Sequence, residues 1–195
     1  MADDIPVAWP ASVIDKHVLN VSYTKTLAAG GWFVALDAAI AFLNDYLKQR
    51  KVALTYVKTG EGTDGHVVFD TTPGNGVHGK AELNIGGSGD REYLRQITIK
   101  LPATPRISAT DPKARVVGDG IKTCILVHEM IHGLGLPNKK HTAADVFSGE
   151  FQLLPGTSPA ADKMQRDARS QAMPPPFING ETLLKIKAMW PAEIT

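Results

Sequence analysis

The chain has 195 residues, 43% of them hydrophobic, with 21 basic and 20 acidic side chains and a net charge of +1. That is enough apolar material for one full core, and too little charge bias for a nucleic-acid surface or an acidic disordered tail. No apolar run reaches membrane-spanning length, the acidic start Met1-Ala2-Asp3-Asp4 is unlike a signal peptide, and one cysteine, Cys124, excludes an internal disulfide. A cytoplasmic protein is the default expectation, with signal-independent export still compatible with the sequence.

Residues 1–16 hold two prolines and no period, and read as an irregular lead-in. His17–Tyr23 alternates weakly and suggests a first strand. After the Gly30-Gly31 break, Trp32–Gln49 places apolar residues at three- and four-residue steps with polar residues between them, the pattern of a long helix packed on a sheet. Four strand-like runs follow, Val52–Val57, His66–Phe69, Ala81–Ile85 and Gln96–Leu101, separated by glycine-rich or proline-bearing turns. Their Gly/Asp loops lack the spaced ligands of a calcium site. His66 and His78 have no neighbours of ligand type, and His17 reads as a strand-end surface residue. Pro102–Arg115 is a polar connector.

Next comes Val127-His128-Glu129-Met130-Ile131-His132-Gly133-Leu134-Gly135. On a helix, His128 and His132 lie four residues apart on one face, the separation at which two imidazoles can share a tetrahedral zinc ion. Glu129 sits to one side, able to reach a water held by the metal without being a ligand itself. The preceding run Ile121–Val127 is apolar enough to be buried, Asp119 is a candidate N-cap, and Gly133 and Gly135 stand where helices end. Cys124, one turn before His128, reads as a small buried hydrophobe rather than a ligand. A catalytic zinc needs a third protein ligand and one open position.

Beyond the motif the chain is irregular, with a charged and helical stretch expected around Ala161–Gln171. Three prolines at 174–176 then impose extended backbone. Asn179 can cap a last helix, Glu181–Trp190, with an apolar face.

Through His128, Glu129, His132 and Gly135 the chain resembles the metzincin clan of zinc peptidases, whose pattern is H-E-x-x-H-x-x-G-x-x-H/D. It departs where that pattern carries the third ligand, which here is Asn138; the next histidine is His141. An amide oxygen is a poor zinc ligand beside an imidazole, so His141 is the favoured third ligand. Asn138 and Glu150 remain alternatives, and Asp145 and Asp162 are weaker ones. Asp145 is also a candidate to orient His141 from behind.

The resemblance implies an α+β, zincin-like fold: a twisted five-stranded mixed sheet with a backing helix and an active-site helix, then a small irregular C-terminal lobe ending in a helix. One catalytic domain would span 1–195, with an N-terminal lobe over 1–135 and a C-terminal lobe over 136–195. It further implies a methionine turn beneath the metal, with Met173 the candidate and Met164 the lesser one, and a substrate strand along Ala81–Ile85. The function implied is a zinc-dependent endopeptidase with one catalytic Zn²⁺, Glu129 as general base and acid, and a peptide or protein substrate. No nucleic-acid or membrane partner is expected. A non-catalytic, metal-stabilised binding module of the same fold is the alternative.

Overall fold

The computed structural model describes residues 7–88, 92–136, 152–165, 172–174 and 176–191. The chain is α+β, built on a five-stranded mixed sheet of order β2-β1-β3-β5-β4. Strands β1 (Val18–Tyr23), β2 (Thr55–Glu61), β3 (Val67–Asn75) and β5 (Tyr93–Thr104) run parallel to one another. The end strand β4 (Lys80–Gly86) is antiparallel to β5. One face of β5 carries Leu94, Ile97, Ile99 and Leu101, all fully buried, and the helices pack on that face. Among the described residues no helix is long and apolar enough to cross a membrane.

Helix α3 (Phe33–Gln49) buries Ala35, Leu36, Ala39, Ile40, Leu43 and Leu47, the apolar positions its period marks out. It stops in a left-handed cap: Lys51 has φ +56°, and the Val52 N–H bonds back to the Leu47 carbonyl at 2.9 Å. Val52 is therefore the close of a helix and not the start of a strand. This corrects the expected strand over Val52–Val57, which begins at Thr55 and runs on to Glu61. Strand β3 likewise outlasts its apolar run, continuing beside β5 through Thr71 and Thr72 with an irregularity before Asn75.

Two short helices fall outside the expectations, α1 (Ala11–Ile14) and α2 (Lys25–Ala29); each is too brief to show a period.

Helix α4 (Asp119–His132) carries the motif, and ten of its fourteen residues are buried. It is stacked on α3 and reaches the start of β4. Asp119 is not the N-cap. That position is Gly118, in extended conformation, and Asp119 is the first helical residue, its carboxylate accepting from Lys122 Nζ at 2.7 Å. A second carboxylate at the helix start comes from the C-terminal part of the chain, where Asp162 accepts from the Gly118 N–H at 3.1 Å.

The C-terminal part holds a small hairpin, β6 (Gln152–Leu154) and β7 (Lys163–Gln165), and ends in α5 (Gly180–Met189). Of the helical stretch expected around Ala161–Gln171, the first part is strand β7 instead, and residues 166–171 lie outside the described residues. A 3-10 turn, Pro159–Ala161, ends at Asp162, whose backbone turns extended (ψ 142°) while its side chain is held by Arg115. Helix α5 starts as expected, the Asn179 side chain accepting from the Thr182 N–H at 2.9 Å.

Candidate metal and catalytic site

On α4, the Nε2 atoms of His128 and His132 lie 3.2 Å apart. Two nitrogens bonded at about 2.05 Å to one tetrahedral zinc stand about 3.3 Å apart, so this separation fits a shared ion. The ring of His132 is fixed from behind: its Nδ1 lies 2.7 Å from the Leu136 carbonyl. A carbonyl only accepts, so Nδ1 carries the proton and Nε2 presents its lone pair towards His128. Burial lowers the pKa of His132, partly opposed by the Leu136 carbonyl, and so favours the neutral ring that binds metal. His128 is half-buried and opens towards solvent.

The local chain folds this way for identifiable reasons. Tyr56 on β2 is buried and donates its hydroxyl to the Met130 carbonyl at 2.8 Å, bracing the helix midway between the two histidines. Trp9 donates its indole N–H to the Gly133 carbonyl at 2.8 Å, satisfying an orphan acceptor at the helix end. Gly135 then turns the chain with φ +100°, and a Cβ there would sit 2.5 Å from the Val7 carbonyl oxygen. Only glycine meets both demands.

Glu129 is 5% exposed, and burial pushes its carboxyl up to about 7. Its place is made by Gly79, the residue just before β4. A Cβ on Gly79 would lie 2.6 Å from Glu129 Oε1 and 2.7 Å from its Cδ. The carboxylate therefore rests against bare backbone at the head of the end strand. The sequence reading passed over Gly79, although a glycine beside a strand is a known mark of close backbone approach. It also passed over Trp9 and Tyr56, whose roles depend on partners more than seventy positions away.

The remaining candidates divide. Asp162 is not a metal ligand. Its two oxygens receive Arg115 Nη1 at 2.8 Å and Nη2 at 2.6 Å, the Gly118 N–H at 3.1 Å and the Gly156 N–H at 2.9 Å. It ties α4 to the C-terminal part instead. Cys124 is buried, and burial pushes its thiol up to about 12, so it stays protonated as a small apolar side chain. His66 accepts the Asn20 N–H on Nδ1 at 2.9 Å, and His78 is exposed.

Met173 is 1% exposed and Met164 is 6% exposed; their backbones pair across an antiparallel bridge at 2.7 and 2.8 Å. Pro174, the next residue, packs on Gly120 in the first turn of α4, about 12 Å along the helix axis from His128.

His141, Asn138, Asp145 and Glu150 lie outside the described residues. Among the described residues, no group of three or more His, Cys, Asp or Glu side chains is placed to hold a metal ion; the motif contributes two imidazoles. No protein-family model matches the chain, and no curated protein matches it.

Proposed function

We propose that this chain is a zinc-dependent endopeptidase of metzincin-like type, with one zinc held by His128, His132 and His141. The observation that carries the reading is the pair of Nε2 atoms 3.2 Å apart with the Glu129 carboxylate seated beside an end strand. A zinc ion held there supplies a Lewis acid that acidifies water and polarises a peptide carbonyl.

The protein groups do the rest. Leu136 keeps His132 in the tautomer that presents Nε2. Glu129, buried and seated against the bare backbone of Gly79, is the carboxylate placed to act as base and then acid. It takes one proton from the attacking water and returns it to the departing amide nitrogen. A peptide in extended conformation adds its backbone to the outer edge of β4, so its scissile bond lies near Gly79 and Glu129.

The test measures zinc content and cleavage of unfolded casein by the parent and by Glu129→Gln. One zinc in both, with cleavage by the parent alone, is the expected result. A zinc-bound parent that cleaves nothing would leave the metal-stabilised binding module. Loss of zinc in Glu129→Gln would make Glu129 a ligand and overturn its role as base.

A further inference from the structure

Seven large hydrophobic residues are exposed among the described residues, and two of them, Leu83 at 45% and Ile85 at 43%, stand on β4. Side chains alternate along a strand, so Ala81, Leu83 and Ile85 share one face and Lys80, Glu82 and Asn84 the other. The shared face is the one that bears the helices. Ala81 pairs with Ile99, Leu83 with Ile97 and Ile85 with Leu94, all three partners fully buried, and Ala81 itself packs on the core. Near Gly79 this face is roofed by α4. Further along, Leu83 and Ile85 continue the core surface into the open.

The opposite face of β4 is finished in the ordinary way for an end strand, with Glu82 held between Lys80 at 3.1 Å and Lys100 at 2.8 Å. Two bare aliphatic side chains on the other face are the reverse of what protects an edge. They begin about 13 Å from Gly79 and reach about 20 Å, four and six residues away at the rise of a strand.

We propose that Leu83 and Ile85 form an apolar shelf that selects extended peptides carrying a large hydrophobic side chain about four to six residues to one side of the scissile bond. The inference rests on the peptidase reading for its substrate, and adds to it which part of the substrate is recognised. A strand added to the edge of β4 places alternate side chains on the same face as Leu83 and Ile85, where cross-strand aliphatic pairs cover each other from water. Binding energy from contacts so far from the reacting bond lowers KM or is spent on raising kcat, and is read in full in kcat/KM.

The experiment uses the full zinc-loaded chain and two families of fluorescence-quenched peptides around one casein cleavage site. One family carries Leu, the other Glu, at positions three to six residues from the bond, on either side. The parent should show a kcat/KM about tenfold higher for the Leu peptides on one side only. In Leu83→Lys/Ile85→Lys that ratio should fall to about one. Equal kcat/KM values in the parent, or a ratio that survives in the double variant, would overturn the shelf. A parent that cleaves no peptide would sink the peptidase reading instead. Anisotropy titration of the same peptides then decides the shelf: preferential binding of the Leu set, lost in the double variant, sustains it, and equal binding overturns it. Circular dichroism of the variant guards against misfolding, which these exposed positions do not invite.

Discussion

Replacing Gly79 by alanine puts one methyl group where the Glu129 carboxylate rests. The new Cβ would lie 2.6 Å from Oε1, 2.7 Å from Cδ and 2.8 Å from Cγ, against the 3.4 Å at which ordinary contact begins. Either the carboxylate retreats by close to a full ångström or the start of β4 does. The backbone of Gly79 itself does not demand glycine, since its φ lies outside the left-handed region, so the penalty falls on the contact. A misplacement of about 1 Å between reacting groups costs on the order of 100-fold in rate. Gly79→Ala should therefore lose about 100-fold in kcat on a peptide substrate while keeping one zinc, because neither histidine is touched. Gly180→Ala is the control: it opens α5 with nothing within 4 Å of its Cβ, and should be neutral or slightly stabilising. Single-turnover kinetics with zinc analysis reads both. A Gly79→Ala enzyme with parental kcat would refute the placement of Glu129 or its role as base.

The third ligand is tested by metal analysis at neutral pH: His141→Ala should strip most of the zinc and Asn138→Ala should keep it, and the reverse result would move the ligand to Asn138. The Asp162 carboxyl is held below the usual carboxylate range, chiefly by the Arg115 guanidinium. A lowered folded pKa supplies stability that is complete above the unfolded value, about 4, and is lost as pH falls through the lower folded one. The melting temperature of the parent should thus drop on acidification below about pH 4, and Asp162→Asn should melt lower at neutral pH with a flatter acid limb; parallel curves would remove that contribution. Buried Met173 should tolerate Met173→Leu at under about 1.5 kcal/mol, whereas Met173→Ala should cost on the order of 2–5 kcal/mol by denaturant unfolding. A Met173→Ala protein as stable as the parent would remove it from the core account.

What could be read from the chain beforehand was whatever repeats or sits close together. The period of α3, the spacing of His128 and His132, the cap at Asn179 and the glycine bend at 135 are all local, and each is found where its residues predict. The β6–β7 hairpin was invisible because three-residue strands carry no alternation worth counting. The start of β2 was misplaced because buried Val52 and Leu54 look like strand residues but belong to the exit of α3. Gly79 and Asp162 are a harder case. One is defined by a carboxylate fifty positions later, the other by a guanidinium and a helix start more than forty positions earlier. No window along a single chain displays such pairs.

The clasp between Trp9 and Gly133 has a consequence for how the protein is made. A ribosome delivers Trp9 first and Gly133 only after another 124 residues. Until then the indole has no carbonyl to meet, and Val7 has no bend at Gly135 to pack against. Every strand of the main sheet is synthesised before α4 appears, so the sheet stands ready as a template when the helix emerges. The helix that carries the two histidines is thus the late arrival, and it is fastened by an early part of the chain. A nascent chain halted at residue 132 holds His128, Glu129 and His132 but lacks the Gly133 clasp to Trp9 and the Leu136 carbonyl that fixes the His132 ring. The final fastening of α4 is, on this ordering, withheld until synthesis has passed the point at which the clasp can shut.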